Sequence, residues 1–126
     1  MRDATLNVSL LALDSIFLDT TPPTGTSVSI KGGATYFNAA DFAANLPPSN
    51  TMHVTGNATG ATEWAISETA IPTSWNAFTG TSTTSRYPFT AGGTSKLIRA
   101  LFRDDVGNTT PVESTDTILI DTTPPT

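Results

Sequence analysis

Cysteine is absent from this chain, and charge is scarce, with six Lys and Arg, eleven Asp and Glu and a single His among 126 residues. The lack of thiols excludes a disulfide scaffold, a Cys-based zinc site and a thiol nucleophile, so packing and sheet hydrogen bonds must hold the fold. Lysine is nearly missing too. Only Lys31 and Lys96 are present, and a net charge of −5 leaves no basic stripe to neutralise phosphates, which argues against nucleic acid as a partner. Residues 8 to 13 are too few and too interrupted for a membrane span or an export signal, and Met1-Arg2-Asp3 carries one positive charge and then an acid. Catalytic signatures are also lacking. There is no Ser in a nucleophile elbow, no HExxH, no phosphate-cradling glycine loop, and no carboxylate pair in a setting that would raise its pKa. The expectation is a non-enzymatic protein with no membrane insertion.

Thr and Ser, by contrast, are abundant, which is the composition of short β-strands with polar outer faces rather than of amphipathic helices. The length suits one domain. An internal repeat then sets the organisation. Asp14-Ser-Ile-Phe-Leu-Asp19-Thr-Thr-Pro-Pro-Thr24 returns as Asp116-Thr-Ile-Leu-Ile-Asp121-Thr-Thr-Pro-Pro-Thr126, with 8 of 11 positions identical at an offset of 102 residues. That period is too long for a solenoid and matches one β-sandwich domain, so the two copies mark equivalent junctions in a string of units. Residues 19 to 120 are expected to form one unit. Residues 1 to 18 form an arm that resembles the closing strand of a preceding unit, and residues 121 to 126 start a following unit or linker.

Period-2 segments recur inside the unit at intervals of about ten residues. Residues 27 to 30, 52 to 55, 63 to 67, 85 to 89, 96 to 103 and 116 to 120 read as strands, with turns at Gly56-Asn57 and hairpin glycines at Gly32-Gly33 and Gly92-Gly93. Trp64, Ile66, Ile98, Phe102, Ile118 and Ile120 fall on inward faces, while Arg99 and Arg103 face water. Residues 38 to 50 suit a loop or a short helical turn. The fold class expected is all-β, a sandwich of about seven strands of immunoglobulin-like or fibronectin-III-like type, with an extra N-terminal strand.

Three features also resemble the bacterial immunoglobulin-like repeats of large adhesins, surface-layer-associated proteins and phage virion proteins. They are Trp75 in Ser74-Trp-Asn-Ala-Phe78, the closing motif Phe102-Arg-Asp104-Asp-Val-Gly107-Asn108, and the Asp-Thr-Thr-Pro-Pro junctions at Asp19 and Asp121. The resemblance spans about residues 14 to 126 and implies tandem architecture, with spacer, binding and decorating roles all open. It places the chain on a virion or on an extracellular or cell surface, with other protein subunits as partners. Met1 without an export signal favours the phage particle over the adhesin.

Each chemically suggestive group has two readings. Residues 104 to 108 form either a turn, with Gly107 at positive φ, or a calcium site of the kind the resemblance implies, with Asp19, Asp104, Asp105, Asn108 and Asp121 as candidate ligands. Calcium is the one cofactor considered. His53 reads as an ordinary strand histidine, since no second ligand or base is near it in sequence. Trp75 beside Phe78 or Tyr87 could form a sugar-stacking platform for a surface glycan, or be core. Lys31 or Lys96 could join an Asn in the internal isopeptide bond of some surface modules. In the arm, Leu6, Val8, Leu10 and Ala12 alternate with Asn7, Ser9, Leu11 and Leu13, so its later part is apolar on both faces. Such a strand templates pairing with another chain, and Leu10, Leu11, Leu13, Ile16 and Phe17 are the expected assembly contacts.

Overall fold

Alternation of apolar and polar side chains sets the strands. Along β7 (Ser95–Arg103), Lys96, Ile98, Ala100 and Phe102 are buried while the residues between them are exposed or half-exposed. In β8 (Ser114–Asp121), Ile118 and Ile120 point inward in the same way. The computed structural model describes residues 15 to 44 and 50 to 123. Its other strands are β1 (Thr24–Ile30), β2 (Tyr36–Asn38), β3 (Thr51–Thr59), β4 (Glu63–Ser67), β5 (Trp75–Ala77) and β6 (Ser82–Pro88), with one short helix, α1 (Ala39–Ala44).

The protein is all-β and sandwich-like, with two sheets sharing one core. One sheet has the order β1-β3-β6 and the other β2-β8-β7-β4-β5, all pairs antiparallel except β2 with β8. Ile30, Met52 and Val54 from the first sheet meet Trp64, Ile98, Phe102 and Ile118 from the second. Burial of each such side chain contributes about 1.5–3 kcal/mol. Trp64, Phe78 and Phe102 pack as a triangle with ring centroids 5.4–6.2 Å apart. Of the expected core, Trp64, Ile98, Phe102, Ile118 and Ile120 are buried and Ile66 is half-buried against them.

Several expectations are corrected by tertiary pairing. Gly56-Asn57 is not a turn, because β3 runs through it to Thr59, paired on both sides. Gly32-Gly33 and Gly92-Gly93 are not hairpin glycines. Each pair lies where the chain leaves one sheet for the other, β1 to β2 and β6 to β7. Arg99 and Arg103 do not simply face water. They are half-buried and ion-paired with Glu113 and Glu63, the latter directly opposite on β4. Of the loop or short helical turn expected for residues 38 to 50, the helical turn forms over Ala39–Ala44. Asn38 starts it by accepting hydrogen bonds at Oδ1 from the Ala40 and Asp41 N–H groups, at 2.9 and 3.2 Å, and Phe42 on it enters the core. The expected N-terminal strand is not formed over residues 15 to 18, and Leu10, Leu11 and Leu13 lie outside the described residues.

The two long flanks of the sandwich differ. On one, the Ile30 N–H of β1 donates to Asp116 Oδ2 of β8 at 2.7 Å, stitching the sheets together. On the other, edge strands β5 and β6 stand apart.

Candidate functional site

Antiparallel registers fix which groups share an end of the unit. β7 runs from Ser95 to Arg103, and β8 runs back so that Leu119 is opposite Ser95. Asp121 therefore sits at the Ser95 end. Asp19 sits at the other, because Asn108 Nδ2, from the turn that follows β7, donates to the Asp19 carbonyl at 2.8 Å. Eight strand steps separate the two ends, about 27 Å. Chain arrives at one end and leaves at the opposite one.

The two Asp-Thr-Thr segments fold locally in one way. Asp19 Oδ1 accepts the Thr21 N–H at 3.0 Å, and Asp121 Oδ1 accepts the Thr123 N–H at 2.8 Å. The repeated sequence thus forms the same side-chain-to-backbone turn twice, in two different surroundings.

Asp104 organises the turn after β7. Its Oδ1 accepts the Val106 and Asn108 N–H groups at 3.0 and 2.8 Å, and its Oδ2 accepts Asn108 Nδ2 at 2.8 Å, while Gly107 takes a φ of 94°. Burial disfavours the charged carboxylate. The hydrogen bonds from Asn108, Val106 and Gly107 outweigh it and hold the carboxyl below its ordinary value. Asp104 and Asn108 thereby position the incoming chain at Asp19, a link that residue spacing alone does not reveal because Asp19 and Asn108 are 89 positions apart.

A hollow of about 270 Å³ brings Asp19, Asp104 and Asp105 together with Pro22, Pro23 and Thr59. Asn108 adjoins it and Asp121 does not. Of the two readings, the turn is formed: the Asp104 oxygens accept the Val106 and Asn108 N–H groups, and Asn108 Nδ2 donates to Asp104 Oδ2 and to the Asp19 carbonyl. Among the described residues, no three His, Cys, Asp or Glu side chains are grouped closely enough to hold a metal ion.

The remaining candidates are placed as follows. His53 is exposed on β3 opposite Arg86. Trp75 lies half-buried on edge strand β5 with the Arg103 guanidinium over its ring at 4.2 Å. The expected platform partners are elsewhere, since Phe78 is in the core and Tyr87 packs edge-on against Phe89. Lys31 Nζ lies over the Phe37 ring, and the buried Lys96 donates to Thr90 Oγ1 at 3.0 Å. Ile16, Phe17 and Leu18 of the expected assembly arm are 84%, 97% and 83% exposed, the largest unburied apolar run among the described residues.

Sequence reading missed the open flank. A groove of about 630 Å³ lies between β5 and β6, lined by Trp64, Ile66, Ile71, Arg86 and Tyr87 together with Ser, Thr and Asn residues. Its components come from four separate segments, so no local pattern signals it.

No protein-family model, no curated protein and no solved structure matches this chain.

Proposed function

We propose that this chain is a non-enzymatic structural module of a phage particle, such as a tail, fibre or capsid decoration, that acts by protein-protein assembly. The observation that carries this reading is the exposure of Ile16, Phe17 and Leu18, an apolar run that water disfavours and another protein surface would cover. Junction geometry supports the string architecture, because identical turns at Asp19 and Asp121 stand at opposite ends of one unit. Strand order supports an immunoglobulin-like type, with β1-β3-β6 facing a sheet that contains β4-β7-β8. Charged groups serve the fold: Asp104 holds a turn, Asp116 bridges the sheets, and Glu63 and Glu113 pair with arginines.

The same opposite-end geometry suits a spacer or adhesive repeat of a bacterial cell-surface adhesin. Antibody raised against residues 19 to 120 separates the two. Labelling of purified phage particles, at a polypeptide mass several times 13.2 kDa for a string or equal to it for a single unit, supports the virion reading. Labelling of intact bacterial cells and not of particles replaces it with the adhesin.

A further inference from the structure

We propose that residues 15 to 18 are a closing strand for the β8 place of another sandwich unit of this kind, seated in the register that β8 takes in its own unit. The proposal rests on the reading of the chain as one unit of a string and adds to it the receptor and the register.

The argument begins with one sequence in two environments. Residues 14 to 18 correspond to 116 to 120 at the offset of 102, so Ile16 matches Ile118 and Leu18 matches Ile120. Ile118 and Ile120 are 0% and 5% exposed, whereas Ile16 and Leu18 stand in water. The side chains that seal a core in one copy have no core to seal in the other. β8 obtains its cover by lying between two strands, parallel to β2 and antiparallel to β7. A segment with the same apolar alternation fits the same place, and its main-chain groups find ladder partners on both sides.

That place cannot be the one in its own unit. Seated there, Leu18 would take the position of Ile120, whose N–H donates to the Thr94 carbonyl at the Ser95 end of β7. The next residue, Asp19, is held by Asn108 at the Arg103 end. Those ends are about 27 Å apart, and consecutive Cα atoms are only about 3.8 Å apart. The receptor is therefore a different unit, one whose β8 place is not filled by a strand of its own.

Register makes the proposal specific. Leu97 faces Thr117 across β7 and β8, so Ser15 of the donor should face Leu97 of the receptor. Since the chain has no cysteine, introduced pairs are the only thiols. The donor is the full chain with Ser15→Cys. The receptor is the full chain with Leu97→Cys and with its own β8 weakened by Ile118→Asp and Ile120→Asp. Mixing under oxidation should give a Ser15-to-Leu97 hetero-disulfide, at least ten-fold more than a receptor bearing Arg99→Cys in place of Leu97→Cys, and Ile16→Asp with Leu18→Asp in the donor should abolish it. A lack of cross-link, equal yield at position 99, or persistence in the Ile16→Asp, Leu18→Asp donor overturns the proposal.

A second measurement does not depend on the weakened receptor folding. The full chain with Thr117→Ser, Leu119→Phe and Ile120→Leu carries the sequence of residues 14 to 18 in its own β8. It should melt within a few degrees of the parent, and an unfolded graft overturns the proposal. The mass of the native polypeptide tests the string reading separately, so an array mass without the cross-link removes only this inference.

Discussion

Gly56 lies in the middle of β3 beneath the Trp64 ring. A Cβ there would stand 2.6 Å from Trp64 Cε3 and Cζ3 and 3.1 Å from Phe102 Cε1, so the glycine is needed for close approach rather than for a turn. Gly56→Ala is expected to destabilise the fold by about 1–3 kcal/mol, read as a lower urea midpoint. Unchanged stability would show that the aromatic pair can shift without cost. Asp104 makes a different kind of prediction. Its carboxyl is held below the ordinary value of about 3.9, so the stability it contributes is complete above that value and is lost as pH falls through the lower folded one. Asp104→Asn should therefore melt earlier than the parent at neutral pH, with the difference constant down to about pH 5 and narrowing below about pH 4. A difference that does not change with acid would mean that its charge is not what holds the turn. The Asx-turn role of residues 104 to 108 was legible in their composition, since Asp, Gly and Asn at that spacing favour such a turn. The reach of Asn108 to Asp19 was not, because it depends on where the fold brings the incoming chain.

Among the elements, edge strand β6 is protected by one residue. The bonds Phe89 N–H to Asn50 O and Ala58 N–H to Thr81 O continue the β3–β6 ladder, so the main-chain groups of Ser82, Thr84, Arg86 and Pro88 are directed to the free edge. Pro88 lacks an N–H at a position where a donor would template pairing. Pro88→Val should alter monomer stability by only about 1 kcal/mol but raise concentration-dependent light scattering; equal scattering would show that the groove is guarded by something else. Strand β8 contributes Ile118 and Ile120 to the core, and Ile118→Ala is expected to cost about 2–5 kcal/mol in chemical denaturation. A loss under 1 kcal/mol would contradict the zero exposure of that side chain. Strands β7 and β8 were legible because five or more residues alternate, and β4 because Trp64 and Ile66 fall on one face. Strands β2 and β5 have three residues each, too few to show a period, and form because β8 and β4 offer them an edge.

At the scale of the molecule, opposite placement of Asp19 and Asp121 with paired prolines after each aspartate would make a string of such units stiff and extended. Two copies joined so that residue 121 of the first serves as residue 19 of the second should scatter X-rays as an elongated particle about twice the length of one unit. A maximum dimension close to that of a single unit would mean that the junction folds back.

The sequence by itself determined the all-β class, the inward side chains of the longer strands and the 102-residue spacing of the repeated Asp-Thr-Thr-Pro-Pro-Thr segment. These follow from period, composition and self-similarity, which are properties of the chain read in order. Only the tertiary structure decided that Lys96 is buried, that Gly56 is a contact point, that Asp19 and Asp121 lie at opposite ends, and that Ile16 and Leu18 are exposed while their repeated partners are sealed. Each depends on which strand lies beside which, and pairing between residues tens of positions apart is set by the packing of the whole core rather than by any local run of residues.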